Sequence, residues 1–183
     1  MTVALYMGSF NPLHYGHLAI AEYLCKCEKI NEVRLIVSPK NPLKEASILS
    51  ESHSRLDAAR STITDEIAAG RTMLRKLIVS DIEFSLPSPT YTIHTINHLQ
   101  KQEPSTNFVL VIGGDNLGIF KNWYKWEEIL EKVEVWIYPR PGYEIQKDLE
   151  ELESIPNKKG LRYLADAPLY DISSTQIRDS LPR

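Results

Sequence analysis

At 183 residues the chain is long enough to bury a sizeable core and short enough to be one domain spanning residues 1–183. It is 43% apolar and 25% charged with a formal net charge of −3, which does not suggest non-specific nucleic-acid binding, and no run has the length and apolarity of a membrane span. The start lacks the basic and apolar regions of a secretory leader, and Cys25 and Cys27 sit in a C-x-C spacing on a predicted helix where they point apart, so they read as free thiols of a reducing compartment and the cytoplasm is the expected location.

The first predicted element is a strand over Val3–Met7, apolar almost throughout, as in a sheet covered on both faces. It runs into Gly8-Ser9-Phe10-Asn11-Pro12-Leu13-His14-Tyr15-Gly16-His17, and a helix follows from about Leu18 to Lys26. A loop from a strand end to a helix start is where open α/β sheets hold phosphate groups. Gly8 has no Cβ and permits close backbone approach, Ser9 and the following amides can donate to anionic oxygens, and Pro12 stiffens the turn. His14 and His17 are three apart with Gly16 between them, a spacing that aims both rings at one point. Two imidazoles converging at a helix start suit a polyphosphate in phosphoryl or nucleotidyl transfer better than a metal, since no acidic or Cys partner stands nearby in sequence.

A second strand is predicted over Glu32–Ser38, giving a right-handed strand–helix–strand unit. The loop Pro39-Lys40-Asn41-Pro42-Leu43-Lys44 then lies on the ligand side of the sheet, where Lys40 and Lys44 meet phosphate or remain solvated surface charges. A second helix is predicted from about Glu51 to Ala69, with Leu56, Ala59, Ile63 and Ile67 as its buried stripe, Arg55 and Arg60 as surface charges and Gly70 as its stop. The third strand is predicted over Lys76–Phe84. A proline-rich loop leads to Thr90-Tyr91-Thr92, whose hydroxyls suit the N-cap of a third helix. His94 and His98 on that helix share a face, and a polar surface explains them better than zinc.

Strand four, Phe108–Ile112, ends in Gly113-Gly114-Asp115-Asn116, a second glycine turn on the same sheet edge. Asp115 is placed to accept from a sugar hydroxyl or to cap the next helix. Trp123, Tyr124 and Trp126 form an aromatic cluster that either packs or stacks on a planar ligand. Strand five, Val133–Tyr138, ends at Pro139-Arg140-Pro141-Gly142, where Arg140 is a phosphate-site candidate. Glu144–Lys159 is predicted as a short helix with a surface connection, and Arg162–Leu164 as a short edge strand. In Ile172-Ser173-Ser174-Thr175-Gln176-Ile177-Arg178, Ser173 and Gln176 form a capping box, while Thr175 and Arg178 at a helix start suit a polyphosphate clamp.

The segment Gly8–His17 resembles the His-x-Gly-His nucleotidyltransferases, and its full form resembles bacterial nicotinate-nucleotide adenylyltransferases. Ile172–Arg178 is similar to that family's second signature, Ile-Ser-x-Thr-x-x-Arg, with Ser174 at the free position. Thr90-Tyr91-Thr92 resembles its Ser-Tyr-Thr motif with Thr in place of Ser, and Gly113-Gly114-Asp115 followed by Trp123-Tyr124 resembles its Gly-x-Asp…Trp-Tyr pattern. In the loop after the second strand, Lys44 stands nearest the family's basic position, whereas the family's adjacent His is absent. The family continues beyond the last signature with a further short helix, and this sequence ends at Arg183.

The resemblance implies a single Rossmann-like α/β domain, doubly wound, with a parallel sheet of about five or six strands. It implies transfer of the adenylyl group of ATP to nicotinate mononucleotide, with Mg²⁺ on the triphosphate. His14, His17, Thr175 and Arg178 would be catalytic, and Gly8, Ser9, Phe10, Gly113, Asp115, Ile172 and Ser173 would bind ATP. Lys44, Tyr91, Thr92, Trp123, Tyr124 and Arg140 would bind the second substrate, with Trp123 stacking on the nicotinate ring. Within the same chemistry the amide nucleotide remains an alternative acceptor, and a nucleotide sensor without activity is an alternative of another class. The expected partners are therefore ATP and nicotinate mononucleotide, with no nucleic acid and no membrane.

Overall fold

The computed structural model describes residues 1–39 and 49–169, and the side chains from residue 51 onward in the second segment. Lys40, Lys44, Ile172, Ser173, Thr175 and Arg178, with the helix predicted to open near Ile172, lie outside the described residues.

The strands are β1 (Thr2–Gly8), β2 (Glu32–Val37), β3 (Leu77–Ser80), β4 (Asn107–Gly113), β5 (Glu134–Tyr138) and β6 (Leu161–Tyr163). They form one sheet in the order β3-β2-β1-β4-β5-β6, every pairing parallel. The helices are α1 (Tyr15–Lys26), α2 (Leu49–Ala68), α3 (Thr92–Gln102), α4 (Gly114–Leu117), α5 (Trp126–Lys132) and α6 (Gln146–Glu153). This is the doubly wound arrangement, in which the strand order reverses between β1 and β4 and opens a crevice at their carboxyl ends.

The strands alternate between two apolar layers. Ala4, Tyr6, Val33, Leu35, Val109, Val111, Trp136 and Tyr138 face α1 and α2, where they meet Leu18, Ala21, Leu24, Leu56, Ala59 and Ile63. Val3, Leu5, Ile36, Phe108, Leu110, Ile112, Val135 and Ile137 face the other layer, with Ile93, Ile96, Leu99, Ile129, Leu130, Leu149 and Leu152. Parallel strands covered on both faces account for the continuous apolar runs in the sequence. Each fully buried Leu or Ile contributes about 1.5–3 kcal/mol, so these two layers dominate the stability that holds the crevice open.

Four local differences from the sequence expectations have physical causes. First, α1 begins at Tyr15 rather than Leu18, because the His14 carbonyl already accepts from the His17 and Leu18 amides at 2.9 and 3.1 Å. Second, the strand expected over Lys76–Phe84 stops at Ser80, and Ile82–Phe84 is a 3₁₀ turn. The Phe84 amide donates to Asp81 O at 2.9 Å there, and the Ile82 amide donates to Ser80 Oγ at 3.3 Å. Third, no hydroxyl caps α3: its N-cap is Tyr91, whose carbonyl accepts from the His94 and Thr95 amides at 2.8 and 3.3 Å. Fourth, Arg55 is not a surface charge but lies buried, 8% exposed, whereas Arg60 is exposed and paired with Asp81 at 2.9 Å. Gly70 does stop α2, in a left-handed conformation at φ +102°.

Candidate active site

The carboxyl ends of β1 and β4 open onto a cleft of about 520 Å³. Gly8, Ser9, Phe10 and His17 line it from the first loop, Tyr91 and Thr92 from the start of α3, Gly113, Asp115, Trp123 and Tyr124 from the segment after β4, and Arg140 from the end of β5. Residues more than a hundred positions apart are thus brought to one crevice by the neighbouring strands β1 and β4.

The histidine loop is built from below. A Cβ on Gly8 would meet the Phe10 ring at 3.1 Å, so the bare Cα of Gly8 is used by that ring as well as by the cleft. Phe10 reaches this place through a left-handed backbone at φ 44° and is 4% exposed. Its ring meets Tyr6 edge-on at 5.4 Å and His17 edge-on at 5.1 Å, a floor under the imidazole. His14 and His17 stack on each other with ring centroids 3.7 Å apart and planes 33° apart.

The His14 amide donates to His17 Nδ1 at 3.2 Å. A nitrogen that accepts carries no proton, so neutral His17 keeps its proton on Nε2, where it can be donated to an oxygen anion. Both side-chain nitrogens of His14 are buried without a hydrogen-bond partner among the described residues. Burial, followed by the His14 ring and the Arg140 charge, lowers His17 to about 3, and burial together with Arg140 lowers His14 to about 4. Both rings are therefore neutral near pH 7, and an arriving anion favours their charged forms.

Arg140 stands two residues beyond β5, and its charge acts on both histidines. Burial works against its charge, but Tyr138 and Asp115 outweigh that and hold it above the ordinary guanidinium value. Its Nε lies 3.5 Å from Asp115 Oδ1, and its guanidinium stands 5.8 Å from the Tyr138 ring. Asp115 is thus an ion-pair partner inside the first turn of α4, whose N-cap is Gly113, and not a cap itself. A Cβ on Gly113 would collide with the Asp115 carboxylate and meet the Tyr138 ring at 3.2 Å, so the close turn depends on glycine here.

The aromatic side of the cleft divides by role. Trp123 is half-buried against the Phe120 ring at 5.2 Å, and its Nε1 has no partner among the described residues. Tyr124 is exposed and lies 4.6 Å from the Tyr91 ring, with His94 edge-on to both. Trp126 packs against the core through Phe120, away from the cleft lining.

Two polar residues that the motifs did not single out support this site. Arg55 on α2 donates to the carbonyls of Ser9, Ser38 (3.1 Å) and Pro39 (3.1 Å), so one guanidinium binds the loop after β1 to the loop after β2. Its signal was in the sequence: Arg55, Ala59 and Ile63 stand four apart on the buried stripe of α2. Glu83, in the 3₁₀ turn after β3, is 3% exposed and lines the cleft, and nothing in the residue pattern marks it.

The sequence matches the cytidylyltransferase-like family over residues 5–180. It is 41% identical over 177 residues to a Bacteroides fragilis protein named as a probable nicotinate-nucleotide adenylyltransferase, covering 97% of this chain and 80% of that protein. The chain belongs to the nicotinate-nucleotide adenylyltransferase family. A Bacteroides thetaiotaomicron relative of the same name is 39% identical over 184 residues, covering 99% of this chain and 82% of its own. The fold is that of Plasmodium falciparum nicotinic acid mononucleotide adenylyltransferase, solved in complex with NaAD: TM-score 0.80 at 20% identity, covering 97% of this chain and 82% of that one. This adenylyltransferase-family chain has no helix among the described residues that is long and apolar enough to cross a membrane. Nor do those residues bring three His, Cys, Asp or Glu side chains together, so His94 and His98 have no third ligand there.

Proposed function

We propose that the chain, acting as one nucleotidyltransferase domain in the cytoplasm, transfers the adenylyl group of ATP to nicotinate mononucleotide. The products are nicotinate adenine dinucleotide, or deamido-NAD, and pyrophosphate, a step of NAD biosynthesis. The observation that carries this reading is the likeness, over nearly the whole chain, to relatives named for this activity. His17, which lines the cleft with the buried His14 ring stacked behind it, supports it.

The 5′-phosphate oxygen of nicotinate mononucleotide attacks the α-phosphorus of ATP in line. A new P–O bond forms as the bond to the bridging oxygen breaks, and that electron pair leaves with pyrophosphate. The attacking phosphate is already an anion, so no side chain need serve as nucleophile, and catalysis is positioning and charge stabilisation. His17, with its Nε2 proton free to donate, stabilises the oxygens of the α-phosphate, and His14 stacked on it does the same from the helix start. Gly8, Ser9 and Phe10 hold the adenylyl part through their backbone, and Gly113 and Asp115 meet its ribose. Thr175 and Arg178, with Ile172 and Ser173, clamp the β- and γ-phosphates in the family manner. Trp123 stacks on the pyridine ring, Tyr91, Thr92 and Tyr124 border it, and Arg140 and Lys44 meet the acceptor phosphate. Mg²⁺ carried in with ATP would be held mainly by the triphosphate and water, as suits a hard cation, and would supply charge neutralisation to the departing pyrophosphate.

The test is pyrophosphate release from ATP and Mg²⁺ with nicotinate mononucleotide and nicotinamide mononucleotide supplied separately. Release with the acid and little with the amide is the expected result. Release with the amide alone assigns the sister activity, and no release with either from folded, ATP-binding protein overturns the reading.

A further inference from the structure

Glu83 is a buried carboxyl that the mechanism above does not use. It sits in the 3₁₀ turn Ile82–Phe84, just beyond the carboxyl end of β3, and lines the same cleft as Ser38, Thr90, Tyr91 and Thr92. Its Oε1 accepts from Thr95 Oγ1 at 2.9 Å, and Thr95 is fully buried in the first turns of α3. Its Oε2 is closed off from solvent, and Ser38 is the other side chain that pulls on the carboxyl. Burying a carboxyl this deeply with so few partners is costly, and such a group calls for a reason.

The reason lies in how α3 begins. Its N-cap, Tyr91, makes no side-chain capping bond, so the first turn depends on backbone bonds and on whatever grips it from outside. Glu83–Thr95 is a side-chain bond that grips it, joining the turn after β3 to the helix one turn beyond Thr92. The residues that this bond holds still, Tyr91 and Thr92, are those proposed above to border the pyridine ring. Burial pushes the Glu83 carboxyl up, against the pull of Ser38 and Thr95.

We propose that Glu83 is a positioning residue for the pyridine nucleotide, acting through Thr95 to fix the start of α3 at the wall of the cleft. The inference rests on the adenylyl transfer proposed above. It predicts a split between the two substrates, because the ATP loop is anchored elsewhere, by Arg55.

Steady-state kinetics of the full chain test it, with wild type, Glu83→Ala, Glu83→Gln and Thr95→Val measured side by side and urea unfolding recorded for each. Glu83→Ala and Thr95→Val are expected to raise KM for nicotinate mononucleotide by about tenfold while KM for ATP moves less than about twofold, as for a lost orienting contact. Glu83→Gln keeps an acceptor for the Thr95 hydroxyl and is expected to return KM to within about threefold of wild type. An equal rise in both KM values, an unchanged KM beside a lowered unfolding midpoint, or no rescue by Gln overturns the proposal. Should Glu83→Ala fail to fold, Thr95→Val and Glu83→Gln decide it alone. A wild-type chain that does not turn over nicotinate mononucleotide counts instead against the parent reading.

Discussion

Replacing Arg55 tests how the nucleotide loop is held. The guanidinium reaches three backbone carbonyls, at Ser9, Ser38 and Pro39, from a side chain that is 8% exposed. Hydrogen bonds to a charged donor contribute about 1.5–3 kcal/mol each, which sets an upper bound near 9 kcal/mol for three. Burial opposes this, since it lowers the Arg55 pKa, and Glu51 offsets only part of the effect. The groove on the outer side of the loop, about 600 Å³ and lined by Arg55, Asn11 and Pro12, lets water reach carbonyls that lose their partner. The expected cost of Arg55→Met is therefore about 3 kcal/mol, with Arg55→Lys near half of that because an ammonium lacks the planar fork. Equilibrium urea unfolding at pH 7 reads it directly, and the thermal midpoint is expected to fall by roughly 6–12 °C for a chain of this size. A loss below about 1 kcal/mol for Arg55→Met would refute the reasoning, since the three bonds would then be no better than bonds to water.

His17→Ala is expected to lower kcat by at least about 10²-fold with the unfolding midpoint nearly unchanged, and near-normal turnover removes His17 from the mechanism. Trp123→Ala is expected to raise KM for the pyridine nucleotide well above any change for ATP, whereas an equal rise for both would make Trp123 a packing residue only. Stability is expected to fall on acidification below about pH 6.5, because His14 and His17 titrate near 4 and 3 in the folded chain and so bind fewer protons than the unfolded chain does. Urea midpoints compared at pH 7 and pH 4.5 check this: a His14→Asn variant should show a shallower decline than wild type, and an identical decline would place the acid sensitivity elsewhere.

The frame of the fold was legible because its apolar pattern is unambiguous. Val3–Met7 and Phe108–Ile112 read as doubly covered strands, and they pair in parallel at the centre of the sheet. The stripe Leu56, Ala59, Ile63 marks the buried face of α2, but its charged member, Arg55, reads as solvent-facing from the sequence because a charge outweighs position there. Ile82 and Phe84 continue an alternating pattern that suggests strand, and alternation puts Glu83 on the face opposite theirs. The 3₁₀ turn cancels that logic by turning Glu83 inward, and a period of two cannot reveal it. The Gly8–His17 motif announced a loop at a strand end, but the stacking of its imidazoles and the Phe10 floor depend on a left-handed residue and on contacts across the core. Lys44, Ile172, Ser173, Thr175 and Arg178 rest on the sequence alone.

The adjacency of β1 and β4 also bears on how the molecule breathes. Their register sets Tyr6 beside Val111, so the histidine loop and the Asp115 turn are continuations of two strands that touch while lying a hundred residues apart along the chain. A nucleotide lodged between those turns would act as a cross-brace between the amino-terminal and carboxyl-terminal halves of the sheet. Opening the β1–β4 seam would then require releasing the nucleotide first, so occupancy adds to the free energy of that opening by mass action. In amide hydrogen exchange, saturating ligand should slow the central pair β1 and β4 by the full ligand-dependent factor, while the edge strands β3 and β6, which can fray without parting the seam, should gain far less.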